Sequence, residues 1–200
     1  SNLAKPYHKI AGKTLIEHII KKTTSFKQIK KIVIVYNKKD SLKIKKLGLK
    51  NITLVQGGET RQISTFNALK YLRNQNGISK VLIHDAARPN VSSHLIASII
   101  KKMNRSKAVV PTLKIHDAVK QKFVSGKYEY IISKDRRDLF LTQTPQAFNL
   151  NEIYNFHKNN RNKYQDDDIS LFMNLEKVKF IQGETNNFKI TVQSDFQNLK

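Results

Sequence analysis

The residues best suited to chemistry lie in a few short stretches. His84-Asp85-Ala86-Ala87-Arg88-Pro89 sets a carboxylate and a guanidinium three positions apart, directly after the apolar run Val81-Leu82-Ile83. If that run is a strand, the stretch sits at its carboxyl end, where open parallel sheets collect their ligands. There Asp85 could take a ribose hydroxyl or a metal, and Arg88 a phosphate; a structural salt bridge beside a proline turn would use the same residues. A lone His–Asp pair without further ligand clusters is weak support for a metal phosphohydrolase. Gln56-Gly57-Gly58-Glu59-Thr60-Arg61-Gln62-Ile63-Ser64 follows a second apolar run and opens a helical pattern. Two glycines let a flat ligand approach the backbone, and a helix start offers free N–H groups. A strand–helix turn with a capping box fits the same pattern.

Further along, Asp135-Arg136-Arg137 and Thr142-Gln143-Thr144-Pro145-Gln146 frame a turn, which could equally be a plain polar loop. Asp166-Asp167-Asp168 could bind a divalent ion, although acids at a helix start more often serve as caps and dipole partners. Asn186-Asn187-Phe188-Lys189-Ile190-Thr191 places one lysine in an apolar, strand-like setting with no obvious local acid. That lysine either snorkels or is aimed at an anion. Ile10-Ala11-Gly12-Lys13-Thr14 invites a phosphate-loop reading, but the position five before Gly12 is Tyr7, which lacks the backbone freedom of glycine. The segment reads instead as a turn before a helix capped by Thr14.

These stretches need a scaffold, and the hydrophobic periodicity supplies one. Helical spacing runs through 14–27, 60–72, 92–102 and 149–158, with a polar helix near 39–47 and another helix near 168–175. Short apolar runs at 32–36, 52–55, 81–84, 108–113 and 178–181 read as strands; Ile190 sits near a last short strand, and a final helix starts around Gln193. The alternation predicts an α/β fold with a largely parallel sheet in one domain, 1–200. The rhythm breaks over 114–133, where Val119–Val124 and Tyr128–Ile132 flank Ser125-Gly126-Lys127 as a β-hairpin. Its apolar positions, Val119, Phe123, Tyr128 and Ile132, need a surface, so the segment predicts a protruding dimerisation arm.

Composition bounds the rest. The chain has 200 residues, no cysteine and no long apolar run, so disulfides, thiolate chemistry and a membrane span are not expected. With no signal-like start, a soluble cytoplasmic protein is expected. The net charge of +22 would suit a nucleic-acid binder. Yet the lysines are spread along the whole chain and no nucleic-acid-binding motif is present, so no nucleic-acid partner is expected. Such a surface would instead steer triphosphates and sugar phosphates toward it. Arginine is the more selective cation: seven against thirty lysines, with Arg61, Arg88 and Arg136 inside the stretches above.

Together the stretches resemble one family. Lys5-Pro6-Tyr7 with Ala11-Gly12-Lys13, Gly57-Gly58-x-Thr60-Arg61-x-x-Ser64, His84-Asp85-Ala86-Ala87-Arg88-Pro89, Thr144-Pro145-Gln146 and Asn187-Phe188-Lys189-Ile190-Thr191 occur in order and at similar spacing in 2-C-methyl-D-erythritol 4-phosphate cytidylyltransferases. The resemblance implies a Rossmann-like nucleotidyltransferase fold, a homodimer formed through the arm, and transfer of a cytidylyl group from CTP to a polyol phosphate in non-mevalonate isoprenoid synthesis. It also implies Mg²⁺ held mainly by the CTP phosphates. Carried over by motif, Lys5 and Lys189 are the catalytic cations, and Gly58, Glu59, Ser64 and Asp85 hold the nucleotide. Asp85, Arg88, Arg136, Thr144 and Lys189 then hold the polyol phosphate, with Arg136 reaching over from the second subunit. The family also has a strand and a glycine-rich loop with an arginine just before the equivalent of Lys5, absent from these 200 residues. Ala118 and Asp166 stand where the family usually has threonine. Those departures keep a ribitol or other polyol-phosphate cytidylyltransferase in view, as the lost loop does an inactive basic binding protein of the same fold.

Overall fold

Leu15, Ile16, Ile19 and Ile20 recur at helical spacing, and the computed structural model, which describes residues 5–160, 165–172 and 178–199, forms helix α1 over Leu15–Thr23. Thr14 caps it as the sequence suggests, within a capping box closed by Glu17. Ahead of it, β1 (Lys9–Ile10) and β2 (Lys13–Thr14) form a tight hairpin. The remaining elements alternate: β3 (Ile32–Tyr36), α2 (Ser41–Lys46), β4 (Ile52–Gln56), α3 (Arg61–Arg73), β5 (Lys80–Ile83), α4 (Ser93–Lys102) and β6 (Ala108–Lys114). The arm follows as β7 (Val119–Ser125) and β8 (Tyr128–Lys134), then β9 (Phe140–Thr142), β10 (Gln146–Asn149), α5 (Leu150–Asn159) and β11 (Val178–Gln182).

β3–β4 and β6–β11 are parallel. The sheet is nevertheless mixed, because β10 runs antiparallel between β5 and β6, and β9 runs antiparallel along β6. The polar stretch around 142–146 conceals this central strand. Gln146 is fully buried, yet its amide donates to Asp167 at 2.8 Å and accepts from the Ile169 N–H at 3.1 Å, so its polar atoms are paired. Of the helix expected over 168–175, Ile169–Leu171 forms a 3₁₀ turn, and 173–175 lie outside the described residues. No strand forms at Ile190, and a 3₁₀ helix covers Gln193–Asn198.

Alternation along the strands feeds two cores. Ala108, Val110 and Phe148 meet α3 and α5 on one face, through Phe66, Leu69, Ile153 and Tyr154. Val109 and Ala147 meet α4 on the other, through Leu95, Ile96 and Ile99. Each fully buried valine, leucine, isoleucine or phenylalanine among them contributes about 2 kcal/mol. Between β3 and β5, which share no hydrogen bonds among the described residues, lies a largely apolar cavity of about 760 Å³. Ile16, Ile20, Val33, Val35, Leu69 and Leu82 line its body, and Tyr36, Arg61 and Asp85 also border it.

Among the described residues the two arm strands pair only with each other, in register from Val119 opposite Lys134 to Ser125 opposite Tyr128. That register puts Val119, Phe123, Tyr128, Tyr130 and Ile132 on one face. Phe123 and Tyr130 stack at 5.2 Å, and both are exposed, as are Tyr128 and Ile132. Tyr130 joins the four arm positions picked out by the sequence.

Candidate active site

The site is built at the carboxyl ends of the strands. β4 ends at Gln56, and the Gly57-Gly58 turn leads into α3. A Cβ on Gly58 would stand 2.2 Å from the Ile63 side chain, and one on Gly57 would stand 2.7 Å from Ser64 Oγ, so only glycine fits this turn. The Gly58 N–H donates to Ser64 Oγ at 3.1 Å, tying together two residues expected at the nucleotide. Thr60 caps α3 through the Ile63 N–H at 3.1 Å; the third helical residue is Ile63, so no reciprocal capping box forms. Glu59 is exposed on the same turn.

Asp85 follows β5 and is the hub. Its carboxylate faces Lys189 Nζ at 3.1 Å, Arg61 Nε at 3.4 Å and Arg88 Nε at 4.0 Å. Burial would raise this carboxyl, but Arg61, then Lys189 and Arg88, outweigh it and hold the group below the usual carboxylate range. Arg88 is itself lowered by burial, partly offset by Asp85, and it donates to the Asn187 carbonyl at 2.8 Å. The sequence shows no local acid for Lys189. The structure corrects this, since Asp85, 104 positions away in the chain, pairs with it, and Lys189 is 46% exposed in an irregular segment rather than dry in a strand.

The Lys189 segment is pinned from several sides. The Asn187 amide donates to the Thr144 carbonyl at 2.9 Å, and the Ile190 N–H to the Ala87 carbonyl at 2.8 Å. Lys5 donates to the Ile190 and Thr191 carbonyls, which brings the two expected catalytic lysines onto one segment. Thr144 is buried, with its hydroxyl occupied: it accepts from the Asp85 N–H at 3.0 Å and meets His84 Nδ1 at 3.1 Å. Its place is directly behind Asp85, where it orients that backbone. Arg136 stands apart from this cluster; it donates to the His116 carbonyl at the base of the arm. Among the described residues no group of three His, Cys, Asp or Glu side chains could hold a metal ion. Asp167 acts as a local cap, accepting from the Ser170 N–H at 3.2 Å, and Asp166 is exposed.

His84 is held neutral. Its Nε2–H donates to the Arg88 carbonyl at 3.0 Å while Nδ1 faces the Thr144 hydroxyl, and burial pushes the imidazole down to about 4. The unfolded chain takes up a proton near pH 6.5 and the folded one does not until about 4. The stability tied to neutral His84 is therefore complete above pH 6.5 and is lost as pH falls from there toward 4, by up to roughly 3 kcal/mol. Urea midpoints at pH 7 and 4.5 should fall steeply for the wild type and less for His84→Gln. Equal slopes would contradict this assignment.

Sequence reasoning misses two residues of the site. Asp168 is fully buried and binds Arg61 Nη2 at 2.7 Å, while His157 on α5 donates to its other oxygen at 2.9 Å. Asp168 is hidden within an acidic triplet, and His157 gives no signal beyond its place on an apolar helix face.

Comparison with known proteins bears on the same architecture. The family model described as 2-C-methyl-D-erythritol 4-phosphate cytidylyltransferase, IspD, matches residues 1–199. A bifunctional IspD/IspF enzyme of Pelagibacter ubique is 42% identical over 202 residues, covering 100% of this chain and 53% of the relative. The chain thus spans about half the length of that bifunctional relative. A 2-C-methyl-D-erythritol 4-phosphate cytidylyltransferase of Thermosipho melanesiensis is 37% identical over 198 residues, covering 96% of this chain and 86% of its own. The crystal structure of 4-diphosphocytidyl-2C-methyl-D-erythritol synthase from Anaerococcus prevotii superposes with a TM-score of 0.84 at 33% identity, covering 99% and 90% of the two chains. A match that runs along nearly every residue, on a fold that gathers the same motifs at one end of the sheet, leaves one conclusion: this chain belongs to the 2-C-methyl-D-erythritol 4-phosphate cytidylyltransferase family.

Proposed function

We propose that the chain transfers a cytidylyl group from CTP to 2-C-methyl-D-erythritol 4-phosphate, releasing pyrophosphate. The observation that supports this best is the cationic ring around Asp85, formed by Arg61, Arg88 and Lys189, beside a glycine turn tied to Ser64. The turn with Gly58, Glu59 and Ser64 takes the cytosine, and Asp85 a ribose hydroxyl. Arg88 and Lys189 face the polyol phosphate, Thr144 holds Asp85 in place, and Lys5 lies toward the triphosphate.

A phosphate oxygen of the polyol attacks the α-phosphorus of CTP. The new O–P bond forms as the α–β bridging bond breaks, and pyrophosphate leaves with the electron pair. The nucleophile is already anionic, so no general base is needed, and positioning with charge neutralisation carries the reaction. Mg²⁺ suits a site with so few clustered carboxylates, since it is commonly held by one or two carboxylates plus substrate phosphates. Bound there, it would neutralise phosphate charge. The exposed arm face supports a homodimer, in which Arg136 of each copy reaches the other's site. A cytoplasmic location suits a cysteine-free chain whose substrate is CTP.

The test is pyrophosphate release from CTP and Mg²⁺ with methylerythritol phosphate or ribitol 5-phosphate. The natural full-length protein should strongly prefer the former; preference for ribitol phosphate would overturn the reading.

A further inference from the structure

A chain of ion pairs runs from the core out to the site, and only its outer end has a role in the reaction above. It starts at His157 on α5, passes to Asp168 at 2.9 Å, to Arg61 at 2.7 Å, to Asp85 at 3.4 Å and to Lys189 at 3.1 Å. We propose that Asp168, backed by His157, is a positioning residue for the transfer: through Arg61 it sets where the Asp85 carboxylate, and with it Lys189, stands. The inference rests on the function proposed above and deepens it.

Asp168 has no exposure to solvent, and a carboxylate taken out of water needs full pairing. Both of its oxygens are used, one by His157 and one by Arg61. Buried ion pairs often add little stability compared with apolar packing, so stability alone is a weak reason to hold an acid here. The geometry offers a stronger one. A guanidinium is a planar fork that prefers to grip a carboxylate with two parallel bonds. Arg61 is kept from doing so at Asp85, because its Nη2 is committed to Asp168 by the shorter bond. Only Nε faces Asp85, at 3.4 Å, which leaves Asp85 free to hold Lys189. Released from Asp168, Arg61 would close on Asp85 with both arms and compete with Lys189 for it.

The experiment uses the natural full-length enzyme with CTP and methylerythritol phosphate. Asp168→Asn should lower kcat/KM for methylerythritol phosphate by about 30-fold, with KM for CTP changed by less than about threefold. The same substitution in a Lys189→Ala background should cost less than about threefold, because Arg61 closing on Asp85 then has no Lys189 to displace. A merely structural Asp168 would cost the same factor in both backgrounds, and that result overturns the inference. If Asp168→Asn fails to accumulate folded protein, Arg61→Lys takes its place in the same cycle. Arg61 is partly exposed, and lysine keeps the charge while losing the fork. An active wild type with equal losses in both backgrounds removes the relay alone; an inactive wild type removes the functional reading and the relay with it.

Discussion

Lys189→Ala is expected to lower turnover by about a hundredfold while leaving CTP binding nearly unchanged. Preorganised cations facing a transferring phosphoryl group are worth about 3–4 kcal/mol in dry sites. Lys189 is nearly half exposed and already tied to Asp85, so the lower end of that range applies. The fold should survive, because Asp85 keeps Arg61 and Arg88 and is not left as an unpaired buried charge. Lys189→Arg should also lose rate, since a third guanidinium at Asp85 brings a planar fork where a compact charge is used. Steady-state kinetics beside CTP titration reads both variants. Near-normal turnover by Lys189→Ala would reduce Lys189 to a surface partner of Asp85.

Phe123→Lys with Tyr130→Lys is expected to convert a dimer into a monomer. The two rings stack on the exposed arm face, and among the described residues their ring contacts are with the arm itself. Burying each in an interface contributes about 2 kcal/mol, and a symmetric dimer loses both rings from both copies, about 8 kcal/mol in all, so the dimer Kd rises by roughly a millionfold before counting the added charges. Because Arg136 lies at the base of the arm, away from the Asp85 cluster, the monomer should also turn over poorly. Sedimentation at micromolar concentration in moderate salt, alongside activity, is the measurement. A wild-type monomer under those conditions, or a charged variant that stays dimeric and active, would end the proposal.

The sequence by itself determined the elements whose periodicity is strong and whose burial is one-sided. α3, α4 and α5 appear within a residue or two of their hydrophobic stripes, and β3 and the arm follow their apolar runs. The glycine turn and the stretch from His84 to Pro89 were legible because backbone freedom and charge must be written locally. Three features were decided only by the tertiary structure. The central strand β10 is short, Gln-Ala-Phe-Asn, with a polar residue at each end, and the burial of Gln146 is tolerable because Asp167 and the Ile169 N–H pair with it. The partner of Lys189 is an aspartate far away in the chain, so no local pattern could disclose it. The Asp168–Arg61 bond spans 107 positions and pairs an acid that, read along the chain, looks like a helix cap. Local chemistry is carried by neighbours in sequence. The pairing of buried charges is set by which strand ends and helix starts the fold brings together, because taking charge out of water rewards any partner within reach, whatever its distance along the chain.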